Sequence, residues 1–229
     1  MEQLYIFLTG PGLAVSLAVF FIGLAIRLVL YFKGLDWKLD RVAYKPHMNM
    51  AMKGGLHSAY KWLVPFGTSG WRAQPFFTVC FFLLHIGAVL VPLFLIGHNE
   101  ILKIRFGFSL PTLPQGVTDV LTVAALIGIF FIILRRIALT EVRILTTGYD
   151  YFILALVAVP FITGYVARLS AGNAEGWLLL HIISGHLMLL LAPFTKLSHI
   201  VLYFASRWQL GADYSVKRGG HRRGPCFPW

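Results

Sequence analysis

Acidic side chains and cysteine are what this chain has least of. Only nine of its 229 residues are Asp or Glu, against twenty Lys and Arg, and charge of both signs amounts to 13%. An ordinary soluble domain carries about 25%, so a water-facing shell of normal polarity is excluded. The two cysteines, Cys80 and Cys226, form no paired motif. That excludes an iron–sulfur or zinc centre built by this chain alone, and Cys80 reads as a small buried apolar residue. No internal repeat is present, and the apolar runs are all but empty of carboxylates, which disfavours a repeat-built transporter with an acidic relay. A cationic leader is missing too. Met1–Tyr5 holds only Glu2 as a charge, and the apolar run that follows is long and lacks a small-residue cleavage site. It is therefore expected to be a mature helix rather than a signal peptide.

What fills the chain instead is hydrophobic sequence, 58% of residues. Five apolar runs lie near or above the roughly 18 residues that a bilayer-crossing helix needs. They are Tyr5–Tyr31, Pro75–Gly97, Thr118–Leu134, Tyr149–Ala167 and Trp177–Phe204. The expectation is an all-α integral membrane protein: a five-helix transmembrane bundle over residues 1–210, followed by a basic, Gly/Pro-rich tail at 211–229.

The net charge of +11 is distributed unevenly. Lys33, Lys38, Arg41, Lys45, Lys53, Lys61 and Arg72 fall in the first loop, Arg135, Arg136 and Arg143 in the third, and Arg207, Lys217, Arg218, Arg222 and Arg223 in the tail. The other side has Lys103, Arg105 and Arg168. The positive-inside rule then places the N-terminus outside and the C-terminus in the cytoplasm. The odd number of helices agrees. Topology accounts for the basicity without any nucleic acid, and docking of an acidic cytoplasmic partner is a secondary reading.

The first loop, about 33–74, is the longest. Its Met, Leu, Tyr and Trp content with interspersed Lys, from His47 to Gly67, suits helices lying at the cytoplasmic interface, with a break at Gly54–Gly55. Such a surface either receives a soluble subunit or is a solvated amphipathic loop. The second loop, His98 to Val117, reads as a short outer connection. The tail from Gly211 reads as extended chain that buries no core.

Ionisable side chains inside a bilayer are costly and mark function. His181 and His199 stand 18 residues apart in the last run, about 27 Å along one face of a straight helix, near the thickness of the hydrocarbon core. In the second run His85 lies toward the cytoplasmic side and His98 at the outer end. Two antiparallel helices thus bring His85 to the depth of His199 and His98 to the depth of His181. Imidazole ligates haem iron, so two pairs at two depths suit two stacked haems. The competing reading of each is a hydrogen-bonded polar residue in a helix bundle. His85 and His98 are 13 residues apart, a turn of about 220°, so they share a face only if Pro92 re-phases the helix.

His186 faces away from His181 and is expected to bond a neighbouring helix, a haem propionate or a quinone. Lys103 and Arg105 are candidates for propionate or quinone contact, with interfacial anchoring as the competing reading. Gly87, Gly164 and Gly185 either let a flat macrocycle approach the backbone or pack helices together. His47, His57 and His221 carry no assigned role.

The last run, with His181 and then Pro193-Phe194-Thr195-Lys196-Leu197-Ser198-His199, resembles the final helix of the respiratory nitrate reductase gamma-subunit family. His85-Ile86-Gly87 resembles that family's first ligand motif, and the likeness covers nearly the whole chain. The resemblance implies a di-haem cytochrome b with bis-histidine ligation, exchanging electrons between menaquinol and an attached cytoplasmic iron–sulfur subunit. The first loop and tail look closer to the membrane cytochromes of sulfate-reducer transmembrane redox complexes and heterodisulfide-reductase-like enzymes. Such assemblies imply further membrane subunits and a periplasmic multi-haem cytochrome c. One position departs from the pattern: the family's second histidine on this helix follows the first by ten residues, where this chain has Leu95, and His98 is the available substitute.

The function expected is that of a membrane-anchor electron-transfer subunit of a respiratory oxidoreductase. A proton-relay transporter or channel using intramembrane histidines is the alternative, and a histidine-ligated membrane metalloenzyme a third.

Overall fold

The computed structural model describes residues 2–35, 48–170, 172 and 174–217, and no strand occurs among them. Helix α1 runs Glu2–Gly34. It is followed by α2 (Met48–Leu63), α3 (Ser69–Ala73), α4 (Pro75–Phe94), α5 (Ile96–Phe106), α6 (Gln115–Ala138), α7 (Thr140–Ile144), α8 (Gly148–Leu169), α9 (Ala174–Leu191) and α10 (His199–Lys217). Helices α1, α4, α6 and α8, and the stretch Ala174–Phe194, are long and apolar enough to cross a membrane. Phe21, Ile22, Val120 and Phe130 stand exposed on these helices, a surface that lipid tails accept and water does not. The protein is a multi-pass membrane protein with one spanning helix for each apolar run.

The helix ends differ from the sequence expectation at four places. The second apolar run stops at Phe94, and Leu95 is extended at φ −67°, ψ 135° before α5 begins. The expected outer loop from His98 is accordingly helical to Phe106. The last run is not one straight helix, so the single-face, 27 Å relation of His181 to His199 does not hold. Pro193, which has no N–H to donate, lies in a 3₁₀ turn (Ala192–Phe194). Thr195 then caps a second turn, accepting from the Leu197 amide at 3.3 Å. Gly54–Gly55 does not break α2, because both glycines are taken up by a helix crossing. Residues 211–217 are helical, and Gly211, Ala212 and Ser215 are buried. His47, His221, Lys38, Arg41, Lys45, Cys226 and the tail beyond residue 217 lie outside the described residues.

Two compact units divide the chain, Met1–Phe20 with Val79–Ala192, and Phe21–Thr78 with Pro193–Trp229. In the first, Val91, Ala125 and Phe161 form a buried core on α4, α6 and α8. Small residues set the approach of α4 to α6. A Cβ on Gly87 would fall 2.7 Å from Ala125 Cβ, and one on Gly128 would fall 2.6 Å from the Cys80 carbonyl oxygen. At the ends of α8 and α6, Arg168 pairs with Asp119 at 3.1 Å. Near the start of α1, Leu8–Gly12 forms a π turn around Pro11. Such wide turns release backbone carbonyls from the helical ladder.

In the second unit α2 packs along α10. Ala51, Gly54, Gly55 and Ser58 are buried on one side of α2. A Cβ on Gly211 would meet Ser58 Cβ at 2.6 Å, and Ser215 Oγ donates to the Met50 carbonyl at 2.9 Å. The Arg207 guanidinium lies 4.2 Å from the centre of the Trp62 ring, and the Tyr31 hydroxyl donates to Gln209 Oε1. Turned roughly 120° about the α2 axis from the buried side, Met48, Met52, Leu56, Tyr60 and Leu63 form an exposed apolar stripe. Lys53, His57 and Lys61 occupy the remaining third.

Candidate functional site

A helix that stops leaves its last carbonyls without intrahelical donors. At the end of α4 four carbonyls are satisfied by four different groups. The Leu95 amide donates to Val91 at 3.1 Å, and the Leu113 amide donates to Phe94 at 2.9 Å. His98 Nδ1–H donates to the Pro92 carbonyl at 3.0 Å, and Asn99 Nδ2 donates to Leu93 at 2.8 Å. The break at Leu95 therefore re-phases the chain and holds the His98 ring as one of its caps. A carbonyl oxygen only accepts, so the proton is on Nδ1 and the lone pair on Nε2. Burial pushes the His98 imidazole below its usual pKa, the Pro92 carbonyl pulls the other way, and His181 adds a further downward push.

His181 on α9 is held in the same manner. Its Nδ1–H donates to the Pro160 carbonyl of α8 at 2.8 Å. Gly164, one helical turn beyond Pro160, makes this approach possible, since a Cβ there would sit 2.8 Å from His181 Nδ1 and 2.9 Å from Cε1. The His98 and His181 rings come together with centroids 5.8 Å apart and planes 4° from parallel.

His85 belongs to the same unit and rests on Phe81, whose ring centroid is 3.9 Å away. Its Nδ1–H donates to the Phe81 carbonyl at 2.7 Å. His199 belongs to the other unit, as the first residue of α10, and its Nδ1–H donates to the Lys196 carbonyl at 2.9 Å. In all four rings a backbone carbonyl fixes the Nδ1–H tautomer.

His186 has the opposite tautomer. Its Nε2–H donates to the Leu8 carbonyl in the π turn at 3.0 Å, and its Nδ1 accepts from Ser16 Oγ at 2.7 Å. Both nitrogens bond α1, so of its expected partners the neighbouring helix is the one this structure shows. Arg105 donates to Thr9 Oγ1 at 3.2 Å and lies over Gly10 of the same π turn. Lys103 is exposed in the last turn of α5. Gly87 serves the α4–α6 crossing, and the space a Cβ on Gly185 would enter is open to 4 Å.

Bis-histidine ligation asks for two neutral rings presenting Nε2. Two bonds of about 2.0 Å from a metal to imidazole nitrogens, with the half-width of each ring, separate the ring centres by about 6 Å. The His98–His181 pair fits on tautomer, spacing and parallel planes. No group of three or more His, Cys, Asp or Glu gathers among the described residues, and an iron held by a macrocycle needs only two side chains.

A protein of Nitratidesulfovibrio vulgaris (strain Hildenborough) is 68% identical to this chain over 226 residues, which covers 99% of this chain and 100% of the relative. The chain belongs to that protein's family. No family model matches it.

Sequence reading missed the residues that support these rings. Asn99, Ser16 and Thr9 are buried polar side chains whose work is to satisfy carbonyls or hold a neighbour. The one available signal was the polar pair His98-Asn99 immediately after an apolar run. The Pro92 and Pro160 carbonyls, as backbone atoms, carry no residue-type signal at all.

Proposed function

We propose that this protein is a di-haem cytochrome b, the membrane-anchor electron-transfer subunit of a respiratory redox complex. The observation that carries the reading is the His98–His181 pair, 5.8 Å apart and 4° from parallel, each ring with its proton committed to a carbonyl. Haem b supplies a one-electron iron couple when bound. The chain's residues orient the imidazoles, and the Nδ1–H to carbonyl bonds raise the basicity of the ligating Nε2. His98 and His181 serve the outer haem. The sequence expectation of an inner haem rests on His85 and His199, and each of these rings taken by itself holds the same tautomer.

The N-terminus faces outside and the C-terminus the cytoplasm of a bacterial inner membrane, as the charge asymmetry of the loops supports. Electrons pass between menaquinone, or a periplasmic multi-haem cytochrome c, and a cytoplasmic iron–sulfur subunit, with other membrane subunits in the assembly. The resemblance of the Pro193–His199 segment to the nitrate reductase gamma-subunit family supports this part. Reduced-minus-oxidised spectra and haem quantification of the purified protein test it. Two b haems per chain are expected, and a protein without a b-type α-band overturns the reading.

A further inference from the structure

The break between α4 and α5 is held by a residue that cannot itself ligate iron. Asn99 is 2% exposed and uses both ends of its amide. Nδ2 donates to the carbonyls of Leu93 at 2.8 Å and Leu95 at 3.1 Å. Oδ1 accepts from the Leu110 amide at 2.8 Å, in the connection that follows α5. Leu93 and Leu95 flank the turn in which the backbone changes direction, and Leu110 is the far side of the excursion. One side chain thus ties the end of α4, the start of α5 and the returning strand of chain to each other.

His98 depends on this arrangement. Its carbonyl partner, Pro92, is next to Asn99's partner Leu93, so consecutive side chains cap consecutive carbonyls. The Leu95 carbonyl also accepts from the Asn99 backbone N–H at 3.1 Å, so the carbonyl exposed by loss of the side-chain amide is that of Leu93. In a dry setting an unsatisfied polar group there is costly enough to drive a rearrangement. The rearrangement open to the backbone is resumption of α-helix through Leu95. That would turn His98 by the phase that the extended Leu95 now supplies, away from His181.

We propose that Asn99 is the positioning residue of the outer haem: it holds the α4–α5 break that aims His98 at His181. This rests on the bis-histidine reading of that pair. It assigns no ligand role to Asn99, and it accounts for how a histidine 13 residues after His85 replaces one at the Leu95 position.

The experiment compares the wild-type protein with Asn99→Ala, Asn99→Leu and His98→Ala, each purified in detergent. Haem is counted per chain, and low-spin electron paramagnetic resonance signals and potentiometric titrations resolve the two centres. The expected result is two haems in the wild type, and loss of the same single centre in Asn99→Ala and Asn99→Leu as in His98→Ala, by at least severalfold in occupancy. The remaining centre keeps its signal and midpoint potential, which also shows that the variants are folded. Two unshifted haems in both Asn99 variants overturn the positioning role and leave the di-haem reading standing. Loss of both haems together also overturns it, since that marks a general folding residue. A wild type without haem removes the di-haem reading and this inference with it.

Discussion

His98 and His181, 83 residues apart in the chain, lie with their rings 5.8 Å apart and 4° from parallel. Each ring donates to the carbonyl of a proline, Pro92 or Pro160, so two unrelated backbone positions hold the two rings side by side. On the proposed reading the two rings share a single iron, so His98→Ala and His181→Ala should have the same phenotype. Haem per chain falls from two to one in each, the same spectral component disappears from both, and the double variant loses nothing further. Loss of different components would separate the pair.

Gly164 is the residue on which the second ring's position turns. Gly164→Ala puts a methyl within 3 Å of two His181 ring atoms, which a well-packed helix pair relieves only by shifting, at about 1–3 kcal/mol. The expected outcome is weakened occupancy of the outer haem, with the inner one retained. Haem titration of the variant against Gly87→Ala, where the clash is between helices, separates a displaced ring from a general packing defect.

His186 gives the contrasting case. Its two bonds to Leu8 and Ser16 make it a brace between α9 and α1, so His186→Ala should retain two haems. It removes one partner from the Leu8 carbonyl and one from the buried Ser16 hydroxyl, a loss of about 1 kcal/mol for each. A lower midpoint of thermal unfolding in detergent at unchanged haem content is the predicted pair of readings. Loss of a haem would instead make His186 a ligand.

The α2–α10 crossing should tolerate little added bulk. Gly211→Leu would press against the Gly54 backbone and Ser58, with overpacking of about 1–3 kcal/mol. Its expected signature is faster limited proteolysis within residues 48–63, while haem content stays at two. Equal proteolysis rates for variant and wild type would argue against this crossing.

Much of the architecture was legible because long apolar runs and bilayer thickness leave few alternatives. Five runs became five helices long and apolar enough to span, and His98 lies beside His181. The errors share one origin. Composition and periodicity show that a stretch is apolar, and they do not show where a backbone leaves the helix. Leu95, an ordinary helix former, is the extended residue, and Gly54–Gly55, an ordinary helix breaker, lies inside a continuous helix.

By itself the sequence determined that this chain crosses a membrane several times and carries histidines within or beside the crossing helices, because hydrophobicity, length and the cost of intramembrane charge are properties of the residues. Only the tertiary structure decided which nitrogen of each ring holds the proton, that His186 is a brace, and that a break at Leu95 turns His98 toward His181. Those outcomes depend on backbone carbonyls open to a side-chain donor and on the room left by Gly164, and a backbone oxygen or an empty volume has no letter in the sequence.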